Sequence, residues 1–208
     1  MEIKFCAIHH AGGNFYNPRA SSIDMTAEQV NSAHKNVPDW IGYSAHLSSL
    51  GFYGGYNIFI DKTGKWTQFR KLGEETLAQK KYNLNTFSIC LAGNNLVEPH
   101  TEAQKQTLKT ILKAATATDV FPALWKLGIK IKDGTQLKMS MFKIYPHSAF
   151  QRTECNSLPE DWGRNLLFDE YSIPTRNILK FIQSFFFKNP QTAIGASPSD
   201  FSCSGFIN

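Results

Sequence analysis

The sequence predicts an α/β fold, a single layered domain with a central mixed β-sheet flanked by helices. Three observations favour this fold: a strand-like apolar segment at residues 3–8, a hairpin pattern at residues 56–69, and a long amphipathic helix pattern at residues 101–117. No repeat, low-complexity block or linker divides the chain. We therefore expect one domain at residues 1–188 and a partly ordered C-terminal tail at residues 189–208.

The first half of the chain is predicted to contain three strands and two helices. Residues 3–8 become solidly apolar, as an internal strand does. Residues 26–35 predict a short helix, because a threonine and a glutamine three positions later form a capping-box pattern. Apolar residues at helical spacing predict a second helix at residues 40–50. Residues 56–60 and 66–69 flank a polar, glycine-containing turn and predict a β-hairpin.

The second half is predicted to continue the alternation of strands and helices. Residues 86–92 are typical of a buried strand, and residues 101–117 present one apolar helical face. The basic segment at residues 129–144 is expected to hold one or two short strands. Residues 166–188 are predicted to be helical, with a break at a proline.

Composition excludes several classes of protein. The 208 residues are 42% hydrophobic and 19% charged, which excludes collagen, coiled coils and wholesale disorder. The most apolar tract, residues 181–187, is too short to span a membrane. Four cysteines are irregularly spaced and do not indicate a disulfide framework. Cys6 and Cys90 lie in predicted strands and are interpreted as buried thiols, although a bridge between them stays open.

The charge balance favours an anionic partner. Lys and Arg number 22 against 17 Asp and Glu, which gives a net charge of +5. Acidic cell-wall polymers, acidic membranes and nucleic acid are the candidates. Because the positive residues are spread and form no run longer than two, we expect no nucleic-acid partner. The amino terminus lacks a secretory signal pattern, so we expect synthesis in a reducing cytoplasm.

Three side chains have the chemistry of a catalytic zinc site. His9 follows the first predicted strand, and His147 and Cys155 lie eight residues apart in a late loop. Zinc binds imidazole nitrogen and thiolate, and a catalytic site keeps three protein ligands with a fourth position for water. On spacing alone this signal is weak, and a buried thiol with two solvent-facing imidazoles explains the pattern better than a metal site does.

Several short motifs occur in a fixed order along the chain. They are IHHA at residues 8–11, GYNIFI at residues 55–60, FSICLAGN at residues 87–94, and His147 followed by TEC at residues 153–155. This order resembles the zinc-dependent N-acetylmuramoyl-L-alanine amidases of type 2, which include phage amidase lysozymes and peptidoglycan recognition proteins. The resemblance covers roughly residues 3–160 and implies the layered α/β fold of that family.

The resemblance implies a role for each matching residue. The family's zinc ligands correspond to His9, His147 and Cys155. Tyr56 matches a tyrosine that lies beside the metal and is needed for hydrolysis, and Thr153 matches a position held by Lys or Thr. A bound Zn²⁺ would activate water and polarise the scissile carbonyl, while Tyr56 and Thr153 would donate hydrogen bonds to the developing oxyanion.

The chain departs from the family pattern outside the three implied ligands. Asn57 stands where the family often has His, and residues 77–83 lack a His that many members carry. Asn156 and Ser157 replace the usual Pro-Gly after the ligand cysteine. The segments at residues 15–38 and 121–145 are longer than is typical. These departures concern substrate contacts and loop shape more than the metal.

The other histidines have less specific interpretations. His10 would point away from His9 on a strand, so we expect it in the core or behind the site. His34 and His100 lie in polar segments and are expected to be solvated. His46 falls in the predicted helix at residues 40–50, where it matches a helix histidine of phage members, and we expect it to pack or to form hydrogen bonds.

The leading hypothesis is a zinc-dependent enzyme that cleaves the amide bond between N-acetylmuramic acid and L-alanine in peptidoglycan. The missing signal pattern favours a phage endolysin or related lytic enzyme, a monomer made in the cytoplasm that acts on the wall after release. The alternative is a non-catalytic peptidoglycan-binding recognition module, which the retention of Cys155 and Tyr56 disfavours. A nucleic-acid or regulatory role rests on charge alone and would need a basic patch at residues 126–143.

Overall fold

The computed structural model describes residues 1–13, 17–37, 46–79, 81–140, 143–150 and 159–168. The predicted tail and most of the helix predicted at residues 166–188 lie outside these residues, as does the first part of the helix predicted at residues 40–50. Within the described part, no helix is long and apolar enough to cross a membrane.

The described strands form a mixed five-stranded sheet and a small parallel pair. The strands are β1 (Glu2–Ile3), β2 (Phe5–His10), β3 (Ile58–Ile60), β4 (Trp66–Gln68), β5 (Thr86–Leu91), β6 (Gln136–Leu137) and β7 (Ile144–Pro146). The five-stranded sheet has the order β4-β3-β5-β2-β7, in which only β4 is antiparallel to its neighbour. Strands β1 and β6 pair separately. The predicted mixed sheet is therefore confirmed.

The described helices are α1 (Ala27–Lys35), α2 (Glu102–Ala115), α3 (Val120–Lys126) and α4 (Trp162–Phe168). Capping boxes begin the first two: Thr26 pairs with Gln29, and Thr101 pairs with Gln104. Each pair satisfies two backbone N–H groups that the first helical turn leaves without partners. The predicted α1 and α2 are confirmed, whereas α3 was not predicted, because its short sequence contains Pro122.

The two faces of the sheet carry different side chains. One face is aliphatic, with Ile8, Ile58 and Ile89 aligned across three strands and packed in the core that includes α2 and α4. Gly163 lets α4 approach closely, because a Cβ there would lie 2.4 Å from Cδ1 of Ile8. Side chains alternate along a strand, so the residues next to these isoleucines project toward the opposite face. That face carries Phe59, Cys90 and the candidate site, and it packs against α1.

The helix predicted at residues 40–50 is wrong at residues 46–50, which are coil and turn. The hydroxyl of Ser48 accepts hydrogen bonds from the N–H groups of Leu50 and Phe52, both at 3.2 Å, and donates to the Phe69 carbonyl at 2.6 Å. This local bonding competes with a helix, as serine side chains commonly do. Apolar spacing alone did not reveal it.

The cysteines in the sheet match their prediction. Cys6 and Cys90 are both buried free thiols, so the bridge that the sequence left open is absent. The register explains their separation, because Cys6 pairs with Phe87 and Cys90 pairs with His9 across β2 and β5.

Candidate active site

Two histidines lie side by side at the end of neighbouring parallel strands. Ile8 of β2 pairs with Pro146 of β7, so one further step along both strands places His9 next to His147. His147 begins a 3-10 turn at His147–Ala149. The two imidazole ring centroids lie 4.3 Å apart, and both side chains are buried. The sheet therefore brings together two residues that are 138 positions apart in the sequence.

The environment keeps His9 neutral. Burial lowers the pKa of His9 well below its usual value, and the neighbouring His147 lowers it further. A neutral imidazole offers one nitrogen lone pair, which is the form that binds a metal. His9 thus has the protonation state that a metal ligand requires.

Tyr56 contacts the same histidine from the segment that leads into β3. Its ring centroid lies 5.1 Å from that of His9 and 5.3 Å from that of His34. Burial raises the pKa of the Cys90 thiol above its usual range, and a hydrogen bond with Tyr56 opposes that shift. The predicted neighbours His9, His147 and Tyr56 therefore share one side of the sheet.

His34 explains why a glycine precedes Tyr56. Nδ1 of His34 accepts a hydrogen bond from the N–H of Gly55 at 2.8 Å, and a Cβ on Gly55 would lie only 2.9 Å from that nitrogen. A larger residue would therefore break this contact. Through this bond, His34 of helix α1 holds the backbone immediately before Tyr56.

His34 and His100 are buried, so the expectation that they are solvated is wrong. His34 lies one helical turn after Val30 on the buried face of α1, a spacing that could have revealed it. His100 packs against the Trp162 ring, 5.5 Å between centroids. Burial lowers the pKa of both imidazoles to about 4, and nearby Arg70 adds to the shift at His34.

Gln79 is a site residue that sequence reasoning missed. Its side chain is buried, and its Nε2 contacts Nε2 of His9 and lies 3.1 Å from the Ser88 hydroxyl. One signal could have found it, because residues 77–83 lack the histidine that many family members carry there. Gln79 reaches His9 from this segment.

Asn57 has a structural role in the sheet. Its Oδ1 accepts from the Ser88 N–H at 2.8 Å, and its Nδ2 donates to the Lys71 carbonyl at 3.0 Å. The side chain thus joins β5 to the chain after β4. The departure from the family's Gly-Tyr-His pattern is explained by these buried hydrogen bonds.

Arg70 holds the loop that precedes Tyr56. Its fully buried guanidinium donates to the carbonyls of Gly54 at 2.7 Å, His46 at 2.8 Å and Glu75 at 3.2 Å. Its Nη1 also lies 3.1 Å from Nε2 of His46. His46 therefore forms the expected hydrogen bonds, but from a coil and not from a helix.

His10 projects away from His9, as predicted. It is buried, and its Nδ1 accepts a hydrogen bond from the Asn95 N–H at 2.8 Å. This bond ties the end of β2 to the loop after β5. His10 thus supports the strand end that carries His9.

Two predicted site residues, Thr153 and Cys155, lie outside the described residues. Among the residues that the structure does describe, no group of three or more His, Cys, Asp or Glu side chains is arranged to hold a metal ion. The described part contributes two buried imidazoles, those of His9 and His147, to the predicted zinc site. This donor pair fits zinc, and the third predicted donor follows His147 by eight residues.

Parallel strands that end in paired histidines, with a tyrosine beside them, form a candidate metal site in a layered α/β fold. A family model described as N-acetylmuramoyl-L-alanine amidase (Amidase_2) matches residues 1–157, and the chain belongs to this family. No curated protein sequence matches the chain.

Solved structures with a similar fold come from bacteria, phages and animals. N-acetylmuramoyl-L-alanine amidase LysC from Clostridium intestinale URNW has a TM-score of 0.51 and 18% identity, over 83% of this chain and 87% of that one. The Ph2119 endolysin from Thermus scotoductus bacteriophage Ph2119 has a TM-score of 0.48 and 12% identity, over 80% and 86%. Drosophila PGRP-LB has a TM-score of 0.46 and 19% identity, over 83% and 82%. At this identity the LysC match shows the fold alone.

Proposed function

We propose that this protein is a zinc-dependent peptidoglycan hydrolase that cleaves the amide bond between N-acetylmuramic acid and L-alanine. The observation that carries the proposal is the pair of buried rings of His9 and His147, 4.3 Å apart, with Tyr56 against His9. Membership of the amidase family supplies the reaction class.

The zinc ligands in this proposal are His9, His147 and Cys155. Bound zinc supplies Lewis acidity, which polarises an amide carbonyl and lowers the pKa of bound water toward neutrality. The two histidines come from adjacent strands, so the backbone hydrogen bonds of the sheet hold their positions. Cys155 is assigned on the family resemblance and its spacing from His147.

Tyr56 and Thr153 are proposed to act on the substrate carbonyl. The Tyr56 ring is fixed from two sides, by its contact with His9 and by the His34 bond to the preceding glycine. A phenol held in this way needs little reorganisation to donate a hydrogen bond to a developing oxyanion. Thr153 is proposed to donate to the same oxygen.

The proposed biological setting is that of a phage endolysin or a related lytic enzyme. We propose that the chain is made in the cytoplasm, acts as a monomer and reaches the wall after release. Its net charge of +5 would favour association with an anionic envelope, an interaction that salt weakens.

Paired histidine variants test the proposal. The parent is expected to bind about one zinc per chain and to release peptides that begin with L-alanine from purified peptidoglycan. His147→Asn should lose most zinc and all release. His10→Asn is the matched control, because this side chain points away from the pair and an asparagine oxygen can still accept the Asn95 N–H, so the variant should keep both zinc and activity.

The same experiment separates the proposal from its alternative. A zinc-loaded parent that binds peptidoglycan and leaves it intact would establish the recognition module instead. Full activity in His147→Asn would refute the assignment of the site.

A further inference from the structure

A buried amide faces the histidine pair from outside the predicted ligand set. Nε2 of Gln79 contacts Nε2 of His9 and lies 3.1 Å from the Ser88 hydroxyl. The other end of the amide, Oε1, is buried and accepts no hydrogen bond from any described residue. Which end of this amide faces His9 decides whether Nε2 of His9 accepts or donates the hydrogen bond.

The backbone around Gln79 is firmly held. Oδ1 of Asn83 accepts from the N–H groups of Gln79 at 2.7 Å and Ala78 at 3.1 Å. The Thr76 hydroxyl also lies 3.1 Å from the Asn83 carbonyl and donates to it. Ser88 sits on β5 directly opposite Ala7 of β2, so the second partner of the amide is fixed by the sheet. Gln79 is therefore placed against His9 by two independent parts of the fold.

The contact limits how His9 can bind a metal. A neutral imidazole carries one proton, and the nitrogen that binds a metal must be the one without it. Because Gln79 occupies Nε2, a metal would take Nδ1, and the proton would have to lie on Nε2. A metal-bound histidine usually donates this second N–H to a nearby oxygen acceptor.

We propose that Gln79 is a positioning residue that fixes the tautomer of His9 through its amide oxygen. The two ends of a primary amide are nearly equal in size, so a half turn exchanges them without moving their neighbours. Oε1 then accepts from Nε2–H of His9 and from the Ser88 hydroxyl. His9 keeps its proton on Nε2 and presents the Nδ1 lone pair for zinc.

An amide suits this role because it does not ionise. Its oxygen accepts a hydrogen bond at any pH, whereas a histidine at the same position would itself have two tautomers and a titrating proton. The inference rests on the proposed zinc site, but the tautomer of His9 can be measured in the metal-free protein. The role of Gln79 and the zinc site can therefore be refuted independently of each other.

Nitrogen-15 NMR of the imidazoles tests the tautomer, with His9 signals identified by their loss in His9→Asn. The metal-free parent should show His9 protonated on Nε2. Gln79→Met removes the acceptor at similar volume and should give a mixture of tautomers. Gln79→Glu keeps an oxygen acceptor and should retain the parent's tautomer.

Zinc affinity, measured by competition with a chelating indicator dye, supplies the second readout. Gln79→Met should bind zinc about 10- to 100-fold more weakly than the parent, and Gln79→Glu should restore most of the loss. Gln104→Met is the matched control, because Gln104 is equally buried but donates to the carbonyls of Ile60 and Ala92. It should lose stability without changing zinc affinity or the His9 tautomer.

The outcomes that overturn the inference are distinct. A parent protonated on Nδ1 of His9 would refute it without any variant, even if Gln79→Met failed to fold. A folded Gln79→Met with the parent's tautomer and zinc affinity would also refute it. A parent that shows the Nε2 tautomer and binds no zinc would leave Gln79's role standing and refute the zinc proposal alone.

Discussion

Acid should destabilise this protein through His34, and the size of the effect follows from its burial. The imidazole accepts a hydrogen bond from the Gly55 N–H through Nδ1, and protonation would break that bond. Burial, together with Arg70, lowers the pKa of His34 from 6.5 to about 4. The unfolded chain therefore binds a proton more readily than the folded chain at mildly acidic pH.

The sign and magnitude follow from proton linkage. A lowered folded-state pKa means that the stability contribution is complete above about pH 6.5 and is lost as the pH falls toward 4. With about 1.4 kcal/mol per pKa unit, His34 alone should cost about 2.5 kcal/mol between about pH 7.5 and about pH 4.5. His100, with a pKa also lowered to about 4, should add a similar loss.

The test replaces His34 with a residue that does not titrate. His34→Asn places an amide oxygen near the position of Nδ1, so it can still accept the Gly55 N–H. Urea unfolding of the metal-free chain, with chelator present, should show the parent losing about 2.5 kcal/mol more than the variant between the two pH values. Equal losses in parent and variant would refute the reasoning.

Three further predictions concern the ligand set, the tyrosine and the loop. Cys155→Ser should weaken zinc binding and abolish hydrolysis, because a thiolate ligand is lost; lysis at the parent's rate would remove Cys155 from the site. Tyr56→Phe should keep zinc and slow turnover about 10²-fold or more, as measured by peptide release, and unchanged turnover would exclude the hydroxyl from the reaction. Arg70→Leu should lower the free energy of unfolding by about 3–5 kcal/mol, since the carbonyls of Gly54, His46 and Glu75 lose this buried donor; a loss below about 1 kcal/mol in urea unfolding would contradict that role.

Local sequence signals predicted much of the fold. Each capping box that begins α1 or α2 joins two residues three positions apart, so both could be recognised in the sequence. The apolar character of β5 likewise predicted a strand that is buried along its whole length. The loop at residues 46–54 was harder, because hydrogen bonds from Arg70 hold it. Arg70 lies outside that loop in the sequence.

The site was predicted only in part, because some of its contacts join residues that lie far apart in the sequence. His9, His147 and Tyr56 were found from motifs, and the structure places them together. His34 and Gln79 were missed because their functional contacts are long-range, to Gly55 and to His9. Polarity suggested solvent for His34, whereas the fold buries its ring beside Tyr56, where Nδ1 accepts a hydrogen bond from the Gly55 N–H.

The most direct test of the account is amide cleavage by one protein preparation before and after its metal is removed. Purified peptidoglycan would be incubated with the parent, with the chelated parent, and with the chelated parent after zinc is restored, and the fragments analysed by mass. Zinc-dependent amide cleavage should release free stem peptides beginning with L-alanine, together with intact glycan strands, in the first and third samples only. Equal release from the chelated sample, or cleavage within the glycan strands, would contradict it.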